Sequence, residues 1–241
     1  MYDIKSFGLK EMTECGTVLR NIGTGSKTME EASGKIVRYF YDQFIDKESN
    51  KNACVLARLF KTHPYGELDE KLQNFVGGLS AGKSQAPDMK CLTLLATAGE
   101  LPEWNLPEKS NGHQAIPLMS EQFVSAVPMI SNLIQQLGLE IKQVVKPDSK
   151  LLLDISKKKY NVFYVPNALG SPYIPSQEKF VIPFKVKSVV GFGGVLPSGN
   201  LFATILFTRV LLAQETADLF KTLALNVKLA LLPLEGQVFA E

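Results

Sequence analysis

The chain has 241 residues, 45% of them apolar and 21% charged, with a net charge of +2. That length buries a substantial core, and the composition is that of a folded globular protein rather than a disordered or fibrous one. The even charge argues against a nucleic-acid partner, and no apolar run reaches the roughly 18 residues that crossing a bilayer takes.

Met12, Cys15, Leu19 and Ile22 recur at three- and four-residue steps, which predicts a first amphipathic helix broken by GTGS at 23–26. Thr28 followed by Glu31 reads as a capping box, opening a second helix whose face carries Met29, Ala32, Ile36, Phe40 and Phe44. ACVLARLF (53–60) is short, β-favouring and bounded by turns, so it predicts a strand. In ELDEKLQNFVGGL (67–79) the apolar spacing is helical, and Gly77 and Gly78 are expected to end that helix. CLTLLATAG (91–99) predicts a second strand. An irregular excursion follows at 100–119, with the only tryptophan, Trp104, and one of two histidines, His113.

Phe123, Val127, Ile130, Ile134 and Leu137 form another helical stripe, which Pro128 should kink or split. YNVFYVP (160–166) predicts a strand, and ALGSPYIPSQ (168–177) a proline-stiffened loop. KVKSVVGFGG (185–194) and NLFATILFTR (200–209), joined through LPSG, make the clearest β-hairpin. From Gln214 to Leu232 runs a long helix that is apolar on more than one side and must bury more than one side. The order predicts an α+β fold, a mostly antiparallel sheet flanked by N- and C-terminal helices on one face.

Several motifs point to chemistry. GGLSAGKS (77–84) matches the phosphate-loop pattern, with Gly77, Gly82, Lys83 and Ser84 in place. A phosphate loop needs a strand before Gly77 and a helix starting at Lys83, whereas here a helix precedes it and Pro87 follows. LLLD (151–154) would be the metal-binding partner strand, but SKKK follows at once. A mobile helix-to-strand connection is the expectation, with nucleotide hydrolysis kept as an alternative. GFGG (191–194) falls short of a dinucleotide fingerprint because position 196 is Leu, so close-packing glycines are expected.

His113 is a candidate ligand contact or axial haem ligand; His63 offers less, and two histidines without clustered acids or thiols do not make a zinc site. Cys15, Cys54 and Cys91 are odd in number and far apart, and MYDIKSFGLKEMTECG has no apolar signal region. Free thiols in a cytoplasmic chain are therefore expected, with Cys54 and Cys91 inert in strands. Lys157, Lys158 and Lys159 read as a solvated turn.

FYVPNALGSPYIPSQEKFVIPFKVKSVVGFGGVLPSGNLFATILFTR (163–209), with its Lys187-Ser188 strand and glycine turn, resembles the ending of GAF domains. ETADLFKTLALNVKLALLP (215–233) is similar to their final helix, and the likeness extends more loosely from residue 28. The chain thus resembles the divergent GAF-like sensor segment upstream of bacterial histidine kinases and related two-component regulators. It lacks the cyclic-nucleotide signature and the bilin-attachment cysteine of better-known members.

The resemblance implies a GAF/PAS-like sensor domain over 28–241, with 1–27 as a helical lead-in. It implies a non-enzymatic domain binding an unidentified small molecule between the sheet and the 100–175 excursion, and signalling through terminal helices to a kinase or other output domain. The aromatics in or beside the excursion, Trp104, Tyr160, Tyr164, Tyr173 and Phe192, together with His113, are its candidate ligand contacts. The surplus apolar face of the last helix predicts a homodimer. The competing expectations are a ligand-free interaction module, a nucleotide triphosphatase, and a thiol-based methionine sulfoxide reductase.

Overall fold

The computed structural model describes residues 1–79, 85–147 and 160–239. Its centre is a six-stranded sheet in the order β6-β5-β4-β9-β8-β7, with every neighbouring pair antiparallel. In chain order these are β4 (Cys54–Pro64), β5 (Lys90–Gly99), β6 (Ala115–Pro117), β7 (Phe163–Val165), β8 (Ser188–Val195) and β9 (Leu201–Thr208). The earlier strands β1 (Tyr2–Asp3), β2 (Phe44–Asp46) and β3 (Lys51–Asn52) form a small separate sheet near the N-terminus. The architecture is α+β and GAF/PAS-like, an antiparallel sheet with N- and C-terminal helices flanking it.

Three longer helices cover one face. They are α1 (Leu9–Asn21), α2 (Met29–Gln43) and, near the C-terminus, α7 (Gln214–Leu231). The apolar stripe of each is what the face buries: Cys15 and Leu19 from α1, Ile36 and Phe40 from α2, and Phe220, Leu223 and Val227 from α7 share one core with Leu59, Phe192 and Leu206 of the sheet. Phe40, Phe192 and Phe220 meet there at ring-centroid distances of 5.2–5.4 Å. Thr28 caps α2 by accepting a hydrogen bond from the Glu31 amide, but the Glu31 carboxylate reaches back to the Lys27 amide, one residue earlier than a capping box requires.

Helices on a single face would leave the other side of six apolar strands in water, and the excursion prevents this. The short helices α4 (Glu121–Ser125), α5 (Pro128–Gln136) and α6 (Ile141–Val145) pack on the opposite face, giving a second core with Leu133, Ile134 and Val144 against Phe60, Ile205 and Phe207. The helix-on-one-face expectation is thus corrected to helices on both. Pro128 splits the stripe as expected, ending α4 and standing at the first position of α5, where its missing N–H costs nothing.

The helix before the phosphate-loop pattern is α3 (Glu70–Leu79), started by Asp69, whose carboxylate accepts from the Leu72 amide at 2.7 Å. Gly77 and Gly78 lie inside this helix and do not end it, which corrects the expected stop. No strand leads into Gly77. Lys83 and Ser84, like LLLD and the lysines at 157–159, lie outside the described residues. In β8, a Cβ on Gly193 would stand 2.1 Å from the Phe202 carbonyl oxygen, so the GFGG glycines serve close strand packing.

Candidate functional site

Period-2 alternation along the strands decides what faces the excursion. On β4, Ala57 and Leu59 turn to the long helices, while Leu56, Arg58 and Phe60 turn to the other face. Ile205 and Phe207 of β9 and Leu92 of β5 lie on that same side. Over these residues the excursion closes only partly, leaving a cleft of about 530 Å³. Its walls come from the loop at 109–113, from Val127, Ile130 and Leu133 around α5, and from Ile174 to Phe180.

Trp104 forms one wall and is held from several directions. It sits in a short 3₁₀ turn (Pro102–Asn105) anchored to the end of β5. Asn105 accepts from the Gly99 amide at 3.1 Å and donates to the Gly99 carbonyl at 3.0 Å, and Thr97 donates to the Trp104 carbonyl. Gly99 allows this close approach, since a Cβ there would lie 2.9 Å from both Leu56 and Trp104 side-chain atoms. The indole then packs edge-on to Phe180 (5.4 Å) and against Phe184 (4.5 Å), and Phe180 meets Phe207 at 5.1 Å. Aromatic rings in these tilted and edge-to-face arrangements make a stiff apolar wall.

The turn that carries Phe180 holds backbone strain. Ser176 has φ +61°, left-handed for a non-glycine residue, and leads into a single π-helical turn at Gln177–Val181. Such strain costs on the order of 1–3 kcal/mol and concentrates where ligands are clamped. The Gln177 side chain braces the turn by donating to the Ala168 and Ile174 carbonyls.

Three polar groups converge in this apolar setting. Arg58 Nη2 donates to Ser110 Oγ at 3.0 Å, its Nε is buried without a partner, and burial pulls its pKa down to about 10. His113 donates from Nδ1 to the Asn111 carbonyl at 2.9 Å, which leaves the lone pair on Nε2. Burial and the nearby Arg58 charge both lower the His113 pKa, keeping the ring neutral. The cleft can therefore hold an apolar molecule and orient it through one cation, one hydroxyl and one imidazole acceptor.

Of the residues expected to contact a ligand, the structure brings Trp104 and His113 together in this cleft. Tyr160 packs beside Gly194 within the same core but does not line the cleft. Tyr164 turns to the helix face, because Phe163 and Val165 take the other side, and its hydroxyl donates to the Leu212 carbonyl. Phe192 likewise turns away, since the glycines on either side of it face the excursion, and it is fully buried among α2 and α7. Tyr173 is exposed on a separate shallow groove formed by 164–173. Arg58 and Ser110 did not stand out in the sequence; an arginine at a cleft-facing position of the apolar run ACVLARLF was the available signal.

The thiol alternative finds no activated cysteine. Cys15, Cys54 and Cys91 are all buried, and burial pushes each thiol up to about 12. Among the described residues no group of three or more His, Cys, Asp or Glu side chains could hold a metal ion, and no helix is long and apolar enough to cross a membrane. No protein-family model matches the chain, and a search of curated proteins finds no significant match.

Proposed function

We propose that the chain is a non-enzymatic sensory domain of the GAF-like kind, binding a small molecule in the cleft between its sheet and the 100–175 excursion. One observation carries this reading: an open apolar cleft of about 530 Å³, walled by braced aromatics and a strained turn, into which Arg58, Ser110 and His113 converge. Binding sites for small ligands have this size and this ratio of apolar wall to orienting polar groups. A ligand-free interaction module, by contrast, would fill that space with its own side chains.

Signalling follows as a population shift. A ligand that touches both the Trp104–Phe180 wall and Ile130 of α5 favours arrangements in which the two sides approach, and so biases the elements packed behind them. The output side is α7, whose Leu225 (58% exposed) and Leu229 (40% exposed) give it an apolar strip for a second copy or a signalling partner.

Trp104 is the only tryptophan, so its emission reports cleft occupancy directly. Titration with a panel of metabolite-sized apolar compounds, neutral and charged, should give a saturable change with at least one of them. Ile130→Phe, which fills the cleft, should abolish that change. A silent Trp104 across the panel, or an unaltered response in Ile130→Phe, would overturn the reading.

A further inference from the structure

We infer that the cleft's occupant is an amphipathic organic anion, an apolar body carrying one carboxylate that pairs with Arg58 and the Ser110 hydroxyl; the inference rests on the cleft being a binding site. Among the described residues, one charge in the cleft has no counter-charge. Arg58 extends from the centre of β4 into an apolar cleft; among the described residues its one hydrogen bond goes to a neutral hydroxyl and no carboxylate pairs with it. Glu103 is the acidic residue on the wall, but it is exposed and forms no ion pair with the guanidinium. The residue is half-buried and its Nε is fully covered, and a guanidinium partly withdrawn from water gains from an anion, which no described carboxylate supplies; a ligand in the cleft can.

The surroundings narrow that partner's chemistry. Ser110 Oγ accepts from Arg58 and still has its own O–H to donate, so guanidinium and hydroxyl together present a planar fork plus one further donor, which suits a carboxylate. A doubly charged phosphate would call for a second cation at this depth, yet Lys109 and Lys179 lie exposed at the rim. Beyond the polar end the lining is Leu56, Phe60, Leu92, Trp104, Ile205 and Phe207, a bed for an aliphatic or aromatic body. His113 Nε2, held as an acceptor, fits a hydroxyl or N–H on that body rather than the carboxylate.

The test uses decanoate and decanol below their aggregation limits, titrated by calorimetry into the wild-type chain and Arg58→Met, with melting temperatures of the ligand-free proteins. The wild type should bind decanoate at least tenfold more tightly than decanol, and Arg58→Met should bind the two alike. Ligand-free Arg58→Met should melt higher, by about 2–4 °C per kcal/mol of desolvation relieved. Equal affinities in the wild type, unchanged by Arg58→Met, would overturn the anion inference while leaving the cleft as a binding site. A lower melting temperature with both ligands lost would make Arg58 a structural residue and overturn it too. Failure of both compounds to bind either protein would sink the inference; the reading beneath it falls only if Trp104 is also silent across the whole panel.

Discussion

Lys61 is the residue that makes the least sense as packing. It is 1% exposed on β4, facing the long helices, and its Nζ donates to His63 Nε2 at 3.0 Å. That bond puts the imidazole proton on Nδ1, which is buried without an acceptor, and the ring packs against Phe239 at 5.2 Å. Burial pulls the Lys61 pKa down to about 8, with Glu235 and Glu67 opposing the shift and Lys90 adding to it. The His63 pKa also falls, through burial first and the Lys61 charge second.

Both shifts have a definite sign. An unfolded lysine binds a proton below its ordinary value of 10.5, whereas folded Lys61 does so only below about 8, so stability should rise between these pH values, by roughly 3 kcal/mol at most. His63, neutral when folded and protonated when unfolded, should cost stability as pH falls below 6.5. Lys61→Met keeps the stem and removes the charge, and should stabilise by about 1–4 kcal/mol at pH 7, with the gain shrinking towards pH 10. Urea unfolding at the two pH values checks this; a destabilised Lys61→Met would mean that the ammonium has a partner worth more than its burial costs.

At the scale of elements, the glycines separate two kinds of position. Built Cβ atoms at Gly77 and Gly78 meet nothing within 4 Å, and both lie in regular α3. Gly77→Ala and Gly78→Ala should each stabilise by about 0.5–1 kcal/mol, as helix-interior replacements do. Gly193→Ala should instead destabilise by about 3 kcal/mol or more, because its Cβ would collide with the backbone of β9. Thermal unfolding of the three variants tests the pair of assignments; a destabilising Gly77→Ala would revive a special loop conformation there.

The same contrast explains what the sequence made legible. Spacing alone placed α1, α2, α7, β4, β5 and the β8–β9 hairpin, because long apolar periodicities are set by burial on one side of each element. It did not place β6 or β1 to β3, which are two or three residues long, too short to show an alternation, and β1 and β6 are held by partners distant in the chain. At the site, Trp104 and His113 were legible as rare residues in an irregular segment. Tyr164 and Phe192 were misassigned because a strand's alternating faces depend on register, and one position moves a ring from cleft to core. Arg58 showed only as an arginine within an apolar run, and nothing local in a sequence says that such a cation faces a cleft and lacks an anion.

At the scale of the whole molecule, the sheet divides two unlike cores. The one under α1, α2 and α7 is closed by the large rings of Phe40, Phe192 and Phe220 and has the character of a scaffold. The one under the excursion is built from short helices, turns and braced loops around an open cleft. Elements of that second kind reorganise at lower cost than regular packed helices, which is why the proposed binding and response are placed on that side. The α7 strip with Leu225 and Leu229 lies outward from the scaffold, where a second copy can join without blocking the cleft.

Native mass spectrometry of the chain as purified, with and without added decanoate, reads occupancy and assembly in one spectrum. The account predicts a dimer whose protomers each carry one small molecule, displaced one-for-one by decanoate and missing from Ile130→Phe. A spectrum of bare protein that takes up no decanoate, identical to that of Ile130→Phe, would contradict it.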